Sequence, residues 1–396
     1  MEEAFFRTHT YLVEHTEAPV RRTLMDEIDW NDRMIGIKGT RGVGKSTFLL
    51  QYAKEHFGPY DRKCLYVNMN NFYFQSRGIA DFAGDFVNQG GRTLLIDQVF
   101  KQQDWSKELR KCYDLYPELK IVFTGSSVMR LKEENPELNG IVKSYNLRGF
   151  SFREYINLKT GNDFQPYELE DILRNHEHII KQILPKVSPM KYFNDYLHHG
   201  FYPFFLEQRN FTENLLKTMN MMTEVDILLI KQIELKYLPK IKRLFYELAV
   251  EGAKAPNVSQ LAENINTSRA TVMNYIKYLA DSRLINMIYP DGQDFPKKPS
   301  KVMMHNTNLM YAIYPIQIDK QEVMETFFVN SLWKDHKVHQ GGKDHYYTVD
   351  GNRKFRICDA QTPNKMRSNP DTIYARYNTE VGKDNKIPLW LLGFLY

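Results

Sequence analysis

The sequence predicts an α/β protein that begins with a mainly parallel, doubly wound sheet. Over the first 150 residues, short apolar segments alternate with segments of helical spacing. A glycine-rich turn joins the first apolar segment, MIGIK, to the helical segment TFLLQYAKEHF. Because alternation of this kind builds parallel sheets, we expect ligands at the carboxyl ends of the strands.

Composition is that of a globular protein with more than one domain. The 396 residues are 42% hydrophobic and 26% charged, and a net charge of +5 permits a nucleic-acid partner without requiring one. Three scattered cysteines lack metal-binding spacing, and no apolar run approaches the roughly 20 residues of a membrane span. We therefore expect a cytoplasmic protein without a membrane partner, in which IPLWLLGFLY forms a buried closing strand.

The turn after the first strand fits the phosphate-binding pattern G-x-x-x-x-G-K-[ST]. Glycines let backbone N–H groups turn toward an anion, Lys45 neutralises the outer phosphates, and the Ser46 hydroxyl suits Mg²⁺. ATP and Mg²⁺ are the expected cofactors. The predicted nucleotide-binding residues are Gly39, Thr40, Arg41, Gly42, Val43, Gly44, Lys45, Ser46 and Thr47.

Further strands are predicted at CLYVNM, TLLID and IVFTGSS, with helices near residues 79–88 and 106–116. Asp97 ends TLLID, where it would hold Mg²⁺ through water. Ser126 and Ser127 end IVFTGSS, where a hydroxyl would sense the terminal phosphate, and ordinary turn chemistry explains the two serines equally well.

Five ordered motifs, GTRGVGKST, LLIDQV, IVFTGSS, RGFSFREY and HGFYPFF, resemble those of a group of bacterial and archaeal AAA-superfamily P-loop ATPases. The resemblance extends over nearly the whole chain. It implies a P-loop ATPase core at residues 1–150, a helical lid or spacer at 151–240, a winged helix-turn-helix at 241–300 and a small α/β domain resembling restriction endonucleases at 301–396.

The resemblance also implies roles for single residues, and the chain departs from the family right after Asp97. Relatives usually carry a carboxylate there, whereas the amide of Gln98 can orient a water but cannot accept its proton. We therefore expect slow or absent hydrolysis. The predicted catalytic residues are Lys45, Asp97, Gln98 and Ser127, with Ser46 and Asp97 serving Mg²⁺.

Other departures favour natural drift toward a binding protein over a single engineered exchange. Where relatives often place arginines, the segment ELNGIV has Gly140, and Lys143 and Arg148 are the nearby basic residues. Asn70 and Asn71 replace the acidic pair that often follows the second strand.

Helix-turn-helix spacing marks the segment from residue 258 to residue 292. Helices are predicted at 259–265 and 268–281, with an inward stripe of Val272, Ile276 and Leu279. A hairpin signal at 290–292 and a basic run that includes Lys301 indicate a wing beside DNA phosphates. The predicted nucleic-acid contacts are Thr267, Asn274, Lys277, Lys297 and Lys298. Asp281 on the same face favours the alternative of a protein contact.

The last hundred residues match half of an endonuclease-type metal cluster. The resemblance places carboxylates at Glu325 and Asp350, but Arg356 and Cys358 stand where an acidic residue and a lysine belong. Because Arg356 would repel a metal ion, we expect the fold without its nuclease activity.

The sequence as a whole predicts a nucleotide-dependent switch with DNA as its partner. An active ATPase that remodels DNA or protein and an ATP-gated nuclease are the alternatives. Self-association and a protein partner are left open. The adjacent His198 and His199 lack partners at metal-binding spacing, so we predict no metal site there.

Overall fold

The structure, a computed structural model, describes residues 2–131, 133–207, 210–342, 346–361 and 369–396. The chain divides into two compact units, Met1–Arg148 and Gly149–Tyr396. Within the described ranges, no helix has both the length and the apolar character needed to cross a membrane.

The first unit is built on a parallel sheet whose described strands are β1 (Met34–Gly39), β2 (Cys64–Asn68), β3 (Thr93–Asp97), β4 (Lys120–Ser126) and β5 (Lys143–Asn146). They lie in the order β2-β3-β4-β1-β5, and each neighbouring pair is parallel. The predicted α/β class with a parallel sheet is confirmed. The exposed edge strand β5 has no apolar signal and is therefore not predicted by the sequence.

The described helices of the first unit are α1 (Glu2–His15) and α2 (Leu24–Glu27), which precede β1, and α3 (Lys45–His56), α4 (Ile79–Asn88) and α5 (Trp105–Leu115), which connect successive strands. Strands β1, β3 and β4 are almost entirely buried, as expected for a sheet covered on both faces. Helix α1 contributes to the edge at β2, where His9 Nδ1 accepts the backbone N–H of Tyr66 at 3.0 Å. A backbone donor that strand pairing leaves open at this edge is thereby satisfied.

The second unit begins with a helical region. The helices before the first strand of this unit are α6 (Phe152–Thr160), α7 (Leu169–Ile183), α8 (Met190–Asp195), α9 (Phe211–Met221), α10 (Leu228–Ile230), α11 (Leu238–Glu251), α12 (Val258–Asn264) and α13 (Arg269–Asp281). Helices α14 (Thr307–Ile313) and α15 (Lys320–Leu332) come later in the unit. Helix α6 starts with a capping box in which the Ser151 and Glu154 side chains bond each other's backbone N–H. This local signal explains why SFREY opens a helix.

Strands of the second unit form two sheets: β6 (Ile285–Ile288), β7 (Lys301–Met304), β8 (Val338–Gln340), β9 (Tyr347–Val349), β10 (Arg353–Asp359), β11 (Thr372–Tyr377) and β12 (Lys386–Pro388). Strands β6 and β7 pair antiparallel after α13. The other strands lie in the order β12-β11-β10-β9-β8, with parallel pairing on one side of β10 and antiparallel pairing on the other. The chain therefore ends in a mixed α/β region.

The prediction of a closing strand at IPLWLLGFLY is wrong. Strand β12 stops at Pro388, and Leu389–Phe394 forms a 3-10 helix in which every residue is buried. An apolar run without polar alternation carries no signal that distinguishes a buried strand from a buried helical turn. The predicted burial of this segment is confirmed.

Candidate functional site

The phosphate-binding loop lies between β1 and α3, as its sequence pattern predicts. Gly44 immediately precedes α3 and has φ 94°, in the left-handed region where a side chain is strained. Lys45 opens the helix, and its Nζ donates to the carbonyl oxygens of Gly39 and Thr40, each at 2.8 Å. The ammonium group therefore folds back over the loop whose N–H groups are the predicted phosphate ligands.

Asp97 is the centre of a hydrogen-bond network at the carboxyl end of β3. The side chain is 1% exposed. Its Oδ2 accepts from Ser46 Oγ at 2.7 Å, Tyr66 Oη at 2.8 Å and Asn68 Nδ2 at 2.9 Å, and its Oδ1 accepts from Thr124 Oγ1 at 2.5 Å. A buried carboxylate requires such donors because it has lost its hydration.

The residues present fit a magnesium ion. Ser46 Oγ and the Asp97 carboxylate, brought together from α3 and β3, are the hard oxygen donors that Mg²⁺ prefers. Beside the phosphate-binding loop, an ion held by this pair would neutralise phosphate charge.

The sequence alone does not predict the roles of Tyr66, Asn68 and Thr124 at this site. Asn68 ends β2 directly opposite Asp97 in the parallel register, a relationship that only strand pairing reveals. Burial, and next the adjacent Asp97 charge, raise the pKa of Tyr66 above its ordinary value. The phenol therefore stays protonated and acts as a donor to Asp97.

Gln98 has a constrained backbone. Its φ of 57° and ψ of 48° are left-handed, and it precedes the short helical turn Val99–Lys101. The Gln98 N–H donates to Thr124 Oγ1 at 2.8 Å, so that one hydroxyl bridges Asp97 and Gln98. The half-buried Gln98 thus follows the magnesium carboxylate at the carboxyl edge of the sheet.

The two serines predicted to sense the terminal phosphate differ in burial and in their hydrogen bonds. Strand β4 lies between β1 and β3, so both hydroxyls belong to the edge that carries the loop and Asp97. Ser126 is buried, and its Oγ accepts the N–H of Val128 at 3.4 Å, which is turn chemistry. Ser127 is half-buried in the turn. The sensing role of Ser127 stays a prediction.

The other residues at which the sequence departs from the AAA-superfamily relatives have common structural roles or lie near the surface. The Asn71 side chain accepts the N–H of Tyr73 at 3.0 Å and caps the helical turn Phe72–Gln75. Lys143 is exposed on the edge strand β5, and Arg148 is half-buried.

The part of the chain that contains the phosphate-binding loop and Asp97 is similar to a known protein family. Residues 31–156 match the family model of an AAA domain. This part of the chain is an AAA-type domain. Such a domain implies ATP binding, typically with Mg²⁺, which agrees with the loop and with the Ser46 and Asp97 pair. Residues 190–320 match a second model, a domain of unknown function named DUF8612.

The chain is similar to an archaeal protein. The uncharacterized protein MJ1637 of Methanocaldococcus jannaschii is 27% identical over 286 residues, covering 68% of this chain. The chain spans 59% of the length of that relative.

Solved structures with some likeness include the Aeropyrum pernix Orc1 protein in complex with DNA, with a TM-score of 0.30 and 11% identity over 80% of this chain and 92% of that one. A DNA polymerase III gamma subunit-related protein from Thermotoga maritima has a TM-score of 0.27 and 14% identity over 70% and 98% of the two chains. Both scores are too low to support an inference.

The predicted nucleic-acid residues of the second unit differ in accessibility. The inward stripe of α13 is confirmed, since its three predicted side chains are fully buried. Asn274, Lys297 and Lys298 are exposed and Thr267 is half-buried. Lys277 is not a free cation, because it pairs with Asp281 one turn later on α13 and only 23% of its side chain is exposed.

Lys301, predicted as part of the basic run beside DNA phosphates, is instead paired with a carboxylate of the protein. Lys301 starts β7, where its Nζ donates to Glu325 Oε2 at 2.7 Å and to Tyr347 Oη at 3.1 Å. Strand alternation turns this lysine inward, unlike Lys297 and Lys298 in the loop before it.

The two candidate metal carboxylates of the C-terminal region are engaged by protein groups. Glu325 pairs with Lys301, and Asp350 accepts from His336 Nδ1 at 2.8 Å and from Arg353 at 2.7 Å. In the described residues, no group of three or more histidine, cysteine, aspartate or glutamate side chains is arranged to hold a metal ion. The ring of His198 instead stacks on the ring of Tyr311, with 3.6 Å between the ring centroids.

Proposed function

We propose that the protein is an ATP-binding switch whose hydrolysis is slow or absent. The supporting observation is that the residues for phosphate and Mg²⁺ are in place, whereas the residue after Asp97 is an amide, Gln98. Ser46 and Asp97 are already hydrogen bonded at 2.7 Å, whereas Gln98 follows Asp97 where a base would have to stand.

The chemistry divides among the residues of the sheet edge. Lys45 and the loop N–H groups hold the phosphates, and Ser46 and Asp97 hold Mg²⁺. Ser127 would contact the terminal phosphate. The amide of Gln98 can accept a hydrogen bond from water and orient it, but it cannot take the proton that attack on phosphorus releases. Bound ATP would therefore persist.

ATP turnover, with and without DNA, tests this proposal when the wild type is compared with Gln98→Glu. A positioned general base contributes about 10² to 10⁴-fold to a rate, so turnover should rise by that order in the variant while both proteins bind ATP. Gln103→Glu, the same change at an exposed nearby site, is the control for added charge. Fast turnover by the wild type would instead support an active ATPase that remodels DNA or protein.

DNA is the proposed partner of the second unit. In support, helices α12 and α13 are followed by the antiparallel pair of β6 and β7, an arrangement of the winged helix-turn-helix type. Lys297 and Lys298 are exposed in the loop that joins these strands. Since Lys277 and Lys301 are paired with carboxylates, the loop lysines would supply most of the phosphate contacts.

An ATP-gated nuclease is the weaker alternative. A lysine ammonium bonded to Glu325 and an arginine bonded to Asp350 stand against metal binding at these carboxylates. Cleavage of supercoiled plasmid with Mg²⁺ or Mn²⁺ tests this alternative, and we expect none.

A further inference from the structure

The buried side chain of Arg22 joins two parts of the first unit. Only 7% of this residue is exposed. One guanidinium nitrogen donates to the carbonyl oxygen of Val43, in the phosphate-binding loop, at 3.3 Å. Another donates to the carbonyl oxygen of Arg148 at 2.7 Å. Arg148 is the last residue of the first unit, so one side chain spans the loop and the point where the chain leaves the core.

Two further contacts hold the same segments together. The Leu147 N–H donates to the carbonyl oxygen of Lys38 at 2.7 Å. At Gly39, a Cβ atom would lie 2.4 Å from the Leu147 carbonyl oxygen, so only glycine allows this backbone approach. The loop cannot shift far without affecting the segment that ends at Arg148.

The bond to Val43 has a consequence for phosphate binding. The Val43 carbonyl and the Gly44 N–H belong to one planar trans peptide, in which they point in opposite directions. A donor that fixes the carbonyl on one side therefore also fixes the direction of the N–H on the other. Gly44 is a position of the phosphate-binding pattern and precedes α3, where N–H groups bind anions.

We propose that Arg22 is a positioning residue that orients the peptide between Val43 and Gly44 for phosphate and couples it to Arg148. Arg22 precedes residues 31–156, which match the AAA domain model. The inference rests on the proposed function, since it requires ATP at the loop. ATP binding would then change the protection of the segment from 143 to 150, through which the chain leaves the core.

If Arg22 had a purely structural role, it would stabilise the fold, but ATP binding at the loop would not affect the segment 143–150 through it. Amide hydrogen exchange separates these roles, because it reports the segment 143–150 with and without saturating ATP. The variants are Arg22→Ala and Arg22→Lys, since lysine keeps the charge but lacks the fork that reaches two carbonyls. Arg21→Ala is the matched control, because Arg21 is exposed and pairs with Asp26.

The wild type and the Arg21→Ala control should show an ATP-dependent change in exchange over 143–150. In Arg22→Ala we expect ATP affinity to fall on the order of tenfold, as for the loss of a charged hydrogen bond. At saturating ATP the exchange change should also be lost in Arg22→Ala. Arg22→Lys, which keeps the charge, should fold and bind ATP but should lack this response as well. If Arg22→Ala does not fold, the lysine variant alone decides.

An exchange change of wild-type size in a folded Arg22 variant at saturating ATP would overturn the inference. So would a wild type that binds ATP without any change over 143–150, and in that case the proposed function survives. A wild type that fails to bind ATP would overturn both.

Discussion

The Ser46 hydroxyl donates to the Asp97 carboxylate at 2.7 Å, joining the start of α3 to the end of β3. Both residues are predicted magnesium ligands, and the parallel sheet brings them to the same edge. Tyr66, Asn68 and Thr124 complete the shell of donors around Asp97. The site is thus organised by its own side chains, and its parts can be tested separately.

Lys45→Ala should abolish ATP binding, because it removes the ammonium group that lies against the phosphate-binding loop. Titration calorimetry measures the affinity directly. Lys54→Ala, on the same helix but exposed, should bind ATP normally. Micromolar affinity in Lys45→Ala would disprove the assignment of the loop.

Thr124→Val should lower the free energy of unfolding by about 2 kcal/mol, because it leaves Asp97 Oδ1 and the Gln98 N–H without the hydroxyl that bridges them. Valine has nearly the same shape, so little packing is lost. Urea denaturation gives the difference, with Ser127→Ala as the comparison. A change below a few tenths of a kcal/mol would show that the bridge contributes nothing.

Stability should decrease as the pH falls from about 6.5 toward 4, and His9 should account for part of this. Burial lowers the pKa of His9 to about 4. Between this value and the ordinary one, the unfolded chain binds a proton that the folded chain does not, so folding is favoured at the higher pH by up to about 3 kcal/mol. His9→Gln should flatten this part of the stability profile, and the exposed His15→Gln should not.

Glu325→Gln should destabilise the protein by about 3 kcal/mol, because it leaves the Lys301 ammonium buried beside an uncharged amide. The side chains of Lys301 and Glu325 are 18% and 10% exposed. Replacing both by Met should cost less than the single change. Denaturation of the single and double variants gives the comparison, and equal losses would argue against a buried charge pair.

Changing Lys297 and Lys298 together to Gln should weaken DNA binding and reduce the slope of log K against log salt by about two, one per phosphate contact. Lys217 and Lys236, exposed elsewhere in the second unit, form the control pair. Unchanged affinity in the loop variant would favour a protein partner for this module.

Local patterns were sufficient to predict four of the five described strands of the first unit and much of its site. The loop from Gly39 to Thr47 is defined by residue types at fixed spacing, and Asp97 ends an unmistakable apolar strand. Asn68 could not be assigned in this way. Its contact with Asp97 depends on the register of two parallel strands that are distant in sequence.

The second unit shows the same limit. Lys297, Lys298 and Lys301 read as one basic run, yet pairing of β7 with β6 turns Lys301 toward a glutamate on α15. Likewise, the final apolar run correctly predicts that Leu389–Phe394 is buried, but it does not predict that this segment forms a 3-10 helix. Side-chain direction there depends on tertiary partners and not on the neighbouring residues.

Whether Gln98 restrains hydrolysis is tested by the fate of ATP bound to the wild-type protein in a single-turnover experiment with Mg²⁺. We expect the bound nucleotide to remain ATP in the wild type, while Gln98→Glu converts it to ADP at least about 10²-fold faster. Conversion at the same rate in both proteins would contradict the assignment of Gln98 as the residue that restrains hydrolysis.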